Sequence, residues 1–120
     1  MYSPTVKDHA TKPRNRRPMD EPTFQANATY SRCGDELTMY FRVEKGVLTD
    51  VSFLAKACGP VIAAASMATT WLIGMTVNEA RHLSAIELHN KLGGMPVSKR
   101  HSLLLVLQCL AQALGEQPKT

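Results

Sequence analysis

From Leu37 to Glu44 apolar and polar positions alternate, with Leu37, Met39, Phe41 and Val43 set against Thr38, Tyr40, Arg42 and Glu44. That period of two predicts a half-buried strand. Lys45-Gly46 interrupts it as a turn, and a second strand follows with Val51, Phe53 and Ala55 on one face and Asp50, Ser52 and Lys56 on the other. The two read as an antiparallel hairpin. Alternation then gives way to an uncharged run from Ala57 to Met75. Pro60 suits a helix's first turn, where its missing N–H needs no partner, and Gly74 supplies a stop. Val61, Ile62, Ala65, Ala68 and Leu72 form one stripe, and Ala64, Met67 and Trp71 a second opposite it. A helix apolar on both sides is buried. The stretch between Pro60 and Gly74 rises only about 21 Å at 1.5 Å per residue, short of a hydrocarbon core near 30 Å, so a core helix is expected, not a membrane span.

The remaining elements are announced by caps. Ser3-Pro4 opens a short helix to about Thr11, before Pro13 forces the backbone out of it. Residues 14–31 lack periodicity, and an edge strand is expected near Phe24 to Ala28 within an otherwise irregular crossing. Thr76-x-x-Glu79 and Ser84-x-x-Glu87 are capping-box patterns that place two short helices before Gly93-Gly94. His82 and His89 fall on them as surface or packing residues. A last helix from about Ser98 to Leu114 carries Leu103, Leu104, Val106, Leu107, Leu110, Ala111 and Leu114 on one face and stops at Gly115. Strands followed by helices predict an α+β domain with helices packed on one face of a small antiparallel sheet. The expected division is a single domain, 1–120, with an N-terminal helix and irregular arm (1–31), a core (32–115) and a tail (116–120).

A chain of 120 residues buries enough surface to fold without staples. Three irregularly spaced cysteines, no CxxC pair and no secretory apolar segment fit a reducing, cytoplasmic setting. The net charge of +4 is densest between Lys12 and Arg17, but no repeated basic face with interleaved aromatics follows, so a nucleic-acid partner is not expected.

Chemistry concentrates at three element ends: Cys33-Gly34-Asp35 before the first clear strand, Cys58 at the head of the buried helix, and His101-Ser102 at the head of the last one. The positive end of the buried helix would stabilise a thiolate on Cys58; the alternative is a small buried cysteine. If these ends converge, two thiolates, a carboxylate and an imidazole form a ligand set suited to iron or zinc. Cys58 as a nucleophile with His101 as base is a further arrangement of the same residues, although no oxyanion-hole motif accompanies it.

The ordered motifs resemble the U-type iron–sulfur cluster scaffolds, as in IscU and the N-terminal domain of NifU. They are Tyr2-Ser3, Val6, Asp8-His9 and Pro13-Arg14-Asn15; Cys33-Gly34-Asp35; Cys58-Gly59 with Ile62-Ala63 and Ala65-Ser66-Met67; and Leu92-Gly93-Gly94-Met95-Pro96 leading to Lys99-Arg100-His101-Ser102. The resemblance spans nearly the whole chain and implies an α+β fold with a three-stranded antiparallel sheet. It also implies a non-enzymatic role: receiving sulfur from a cysteine desulfurase, assembling a 2Fe–2S cluster and passing it to an apo-protein. Cys33 and Cys58 would be cluster or zinc ligands, Asp35 would tune how tightly the cluster is held, and His101 would be an additional ligand.

The chain departs from the family pattern where His-Cys is expected and His101-Ser102 stands. A serine hydroxyl is a poor iron ligand and cannot carry a persulfide. Cys109 does not replace it, lying about 10 Å further along the helix axis, and is expected to be a packed or partly exposed free thiol. Ala57 stands where glycine is common, and Pro96-Val97-Ser98-Lys99 has one proline of a usual pair in what resembles a chaperone-recognition segment. Two expectations remain open. In one, the chain is a scaffold or carrier, with four thiolates gathered across a homodimer for one 2Fe–2S cluster, or with Cys33, Asp35, Cys58 and His101 holding one zinc. In the other, it is a non-assembling paralogue that binds and regulates a cysteine desulfurase.

Overall fold

The core forms where the alternating strands lay their apolar faces against the uncharged helix and the last helix. A computed structural model of the chain describes residues 2–115 and gives the order α1 (Pro4–Thr11), β1 (Phe24–Tyr30), β2 (Asp35–Glu44), β3 (Val47–Lys56), α2 (Gly59–Leu72), α3 (Val77–Arg81), α4 (Ala85–Lys91), a 3-10 turn (Val97–Lys99) and α5 (His101–Leu114). The strands make one antiparallel sheet in the order β1-β2-β3. Ala26, Ala28, Leu37, Met39, Phe41, Val51 and Phe53 point into the core, where α2 and α5 cover them. Gln25, Asn27, Thr29, Glu36 and Lys56 face water from the other side. The fold is α+β with helices on one sheet face. The tail expected at 116–120 lies outside the described residues.

Local chemistry explains most element ends. Ser3 caps α1 by accepting the Val6 N–H, and its hydroxyl also donates to the Leu92 carbonyl, which ties α1 to the end of α4. Both capping boxes form, Thr76 with Glu79 and Ser84 with Glu87. At the β2–β3 turn Lys45 (φ 52°) and Gly46 (φ 76°) are both left-handed, the conformation a two-residue hairpin of matching twist requires. No described helix is long and apolar enough to cross a membrane.

Three details differ from the periodicity reading. The first strand runs two residues past Ala28, to Tyr30, so it pairs with β2 as far as Asp35. The last helix opens with a 3-10 turn at Val97–Lys99 before α5 begins at His101, a tightening common at helix ends. Ser52, placed by alternation on the solvent side, is fully buried where the arm crosses beside its neighbour Phe53.

That arm also protects the sheet. The Phe53 N–H donates to the Asn15 carbonyl at 2.9 Å, and Arg16 bridges Phe53 in parallel along the outer edge of β3. The arm is fixed to α2 by the Arg14 N–H to Ser66 Oγ and by Asn15 Nδ2 to Thr69 Oγ1. On the opposite edge, Gln112 of α5 takes the Asn27 N–H (3.2 Å) and gives its own amide hydrogen to the Asn27 carbonyl (2.8 Å). A side chain thus occupies the bonding positions a fourth strand would use, which blunts an edge otherwise open to pairing.

Candidate metal and cluster site

Asp35 joins the three element ends. It is the first residue of β2 and only 4 % exposed. Its Oδ1 accepts the Cys58 N–H at 3.1 Å, meeting an orphan donor beside the start of α2. Its Oδ2 lies 3.7 Å from Cys58 Sγ and 3.0 Å from His101 Nε2, the latter the geometry of an Nε2–H donating to the carboxylate. One carboxylate therefore touches the residue that caps α2 and the first residue of α5.

Cys33 joins them from the segment just before Asp35. The β1–β2 loop, residues 31–34, begins with the Cys33 N–H donating to the Tyr30 carbonyl and closes on Gly34 at φ 67°. Glycine takes that left-handed conformation without a Cβ penalty. Cys33 is consequently exposed near the loop tip. Potential ligand atoms of Cys33, Asp35 and His101 all lie within 4.8 Å of one another. Cys58 stands outside that triad and reaches it through Asp35.

All four residues singled out in the sequence thus meet at one end of the sheet. The donor set fits a thiophilic transition metal. Tetrahedral zinc keeps its ligands about 3.3–3.8 Å apart, from bonds of roughly 2.0–2.3 Å; no pair in the triad exceeds 4.8 Å, and Asp35 Oδ2 and His101 Nε2 are already 3.0 Å apart.

Of the two readings open for Cys58, the thiolate and the small buried cysteine, its surroundings favour the second. Burial pushes its pKa up, and the neighbouring Asp35 carboxylate adds to that push; the Val61 N–H and the Lys99 charge act in the opposite direction. The helix terminus is thus outweighed, and the metal-free site keeps a neutral thiol. Cys58 Sγ and His101 Nε2 both approach the same oxygen, Asp35 Oδ2.

Ser102 and Cys109 have structural places. Ser102 is fully buried and its hydroxyl donates to the Lys99 carbonyl at 2.6 Å, closing the turn into α5. Cys109 is fully buried 3.8 Å from the Leu37 carbonyl, and burial pushes its thiol up to about 12. His89 uses Nδ1 to accept the Met95 N–H, fixing the Gly93–Gly94 turn.

Sequence reading missed Tyr30. Its ring stacks on the His101 imidazole with centroids 4.3 Å apart and planes 13° from parallel. An aromatic residue three positions before Cys33 was the available signal, but nothing local says that α5 brings a histidine onto it.

The family model described as the NifU-like N terminal domain matches residues 1–119. The chain belongs to this family. An iron–sulfur cluster assembly scaffold protein IscU of Archaeoglobus fulgidus is 32% identical over 114 residues, covering 95% of this chain and 74% of the relative. The corresponding scaffold protein of Azotobacter vinelandii is 33% identical over 107 residues, covering 86% of this chain and 84% of the relative. Among solved structures, a protein from Fervidobacterium islandicum described as an iron–sulfur cluster assembly scaffold for the SUF system superposes with a TM-score of 0.74 at 19% identity, covering 94% of this chain and 96% of that one. A NifU-like N-terminal protein from Brucella abortus gives 0.64 at 23% identity, covering 92% and 76%. At those identities the superpositions speak for the fold, which is that of the NifU-like N-terminal domains.

Proposed function

We propose that this NifU-like domain is an iron–sulfur cluster assembly scaffold or carrier whose cargo, a 2Fe–2S cluster or a single metal ion, is held by Cys33, Asp35, Cys58 and His101. The observation that carries the reading is the convergence of those side chains on Asp35, three of them within 4.8 Å of one another. The relatives' names support the cargo. The role is one of binding and transfer.

Each residue has a distinct task in holding that cargo. Cys33, exposed on its loop, is the thiol that incoming iron or sulfur meets first. Cys58, half-buried and protonated at rest, gives up its proton as the cargo arrives, so loading releases protons. Asp35 holds the Cys58 backbone and the His101 ring in place and can itself supply an oxygen. Without a cysteine at position 102, one chain offers two thiols at the site, and a homodimer supplies the four that a 2Fe–2S cluster takes. Zinc on the four residues of one chain is the other cargo the donor set suits. The partners on this reading are a cysteine desulfurase and apo-protein acceptors, in a cytoplasm reducing enough to keep the thiols free. A non-assembling desulfurase partner is the less favoured role, because the relatives are scaffold proteins by name.

Anaerobic reconstitution with iron, cysteine and a cysteine desulfurase tests this, following visible absorption, iron, sulfide and zinc in the wild type, Ser102→Cys and Cys58→Ala. The expected result is cargo on the wild type and none on Cys58→Ala. Cluster formation only after Ser102→Cys, with no metal on the wild type, would transfer the case to the non-assembling reading.

A further inference from the structure

The geometry points to Tyr30 as a positioning residue: its ring holds the His101 imidazole in the orientation that serves the metal site. The inference rests on the scaffold reading and deepens it. Tyr30 closes β1 and pairs across the ladder with Asp35, which opens β2; the loop between them carries Cys33. One hairpin end therefore supplies a carboxylate, a thiol and an aromatic face to a histidine that arrives on a separate helix.

His101 needs that face. Asp35 Oδ2 engages the imidazole at one edge atom, which leaves the ring free to rotate about the contact. Rotation about the bond that attaches an imidazole is intrinsically broad and weakly restrained. The Tyr30 ring, 4.3 Å away and 13° from parallel, covers one imidazole face and permits only small swings. Edge and face contacts together fix both position and plane. Groups that orient a ligating histidine typically change metal affinity 10–100-fold when removed, and a neutral stacking partner belongs at the lower end.

The test compares Tyr30→Leu, which keeps an apolar side chain and removes the ring, with Tyr30→Phe, which keeps the ring. Two properties are read in each: the imidazole carbon-bound proton signals of His101 by NMR in the metal-free protein, assigned with His101→Gln, and zinc affinity by competition with a chelator. Tyr30→Leu is expected to move the His101 signals downfield, through loss of the ring current, and to weaken zinc about tenfold. Tyr30→Phe should recover most of both. In a His101→Gln background Tyr30→Leu should change zinc affinity less than twofold, because the tyrosine acts through the histidine.

Equal losses in the two backgrounds would mean that Tyr30 supports the hairpin and not the ring, and would overturn the inference. So would an unmoved His101 signal, or a moved signal with unchanged zinc affinity. If the wild type binds no zinc, or His101→Gln binds it as tightly, the ligand assignment fails and the positioning role with it. The metal-free signals still record whether the rings stack, so the two failures are told apart.

Discussion

Removing the Gln112 clamp should loosen the joint that brings His101 to the hairpin. Gln112 is the only residue whose side chain is bonded to both backbone groups of Asn27 among the described residues, and it links α5 to the strand that ends in Tyr30. A neutral hydrogen bond contributes about 0.5–1.5 kcal/mol net. Both of these are exposed, so water can replace them and the lower figure applies to each, about 1 kcal/mol for the pair. Gln112→Ala recovers a few tenths through better helix propensity. The expected loss is therefore about 0.5–1 kcal/mol. With an unfolding entropy of roughly 2.1 cal/mol/K per residue, this is a fall of about 2–4 °C in Tm for a domain of this size.

Gln112→Glu separates the clamp from a general loss of packing. A carboxylate can still accept the Asn27 N–H, but its second oxygen then faces the Asn27 carbonyl, acceptor against acceptor. At pH 7 the Glu variant should be less stable than the Ala variant. The gap should close near pH 4, where a protonated carboxyl donates again. Urea unfolding at the two pH values measures this, and hydrogen exchange at Asn27 gives a local reading. A Glu variant as stable as wild type at pH 7 would refute the clamp.

Three further outcomes follow from other parts of the fold. Lys45→Asn should stabilise the protein by about 0.5–1 kcal/mol in urea unfolding, because Lys45 is held at φ 52°, where a lysine is strained and asparagine is tolerated. In a thiol-reagent time course on the native protein Cys33 should react first and Cys58 more slowly, whereas Cys109, buried with its thiol pushed up to about 12, should react only in denaturant. His9 is buried 2.7 Å from Ser66 Oγ, and burial, helped by the Arg14 charge, depresses its pKa. The unfolded chain takes up the proton near pH 6.5 and the folded one resists it. Its contribution is thus complete above about pH 6.5 and is lost as pH falls through the folded-state value. His9→Gln should flatten the urea midpoint between pH 7 and 5.

What was legible in the sequence divides along a physical line. The β2–β3 hairpin, α2 and both capping boxes depend on residues within a few positions of one another, so periodicity and cap chemistry sufficed to place them. The arm did not announce itself, because the bonds of Arg14 and Asn15 are made to Ser66, Thr69 and Phe53, far along the chain. The motifs picked out four residues that the fold brings together but could not give their mutual geometry. At Cys58 the helix terminus and a buried cysteine were both readable from the uncharged run, whereas the contact with Asp35, 23 residues away in sequence, was not. The local effect favours a thiolate and the non-local ones a thiol, and the non-local ones prevail. The same division accounts for Tyr30. Its strand position could be read in sequence, but its contact with His101 exists only because Gln112 and the apolar face of α5 seat that helix on β1.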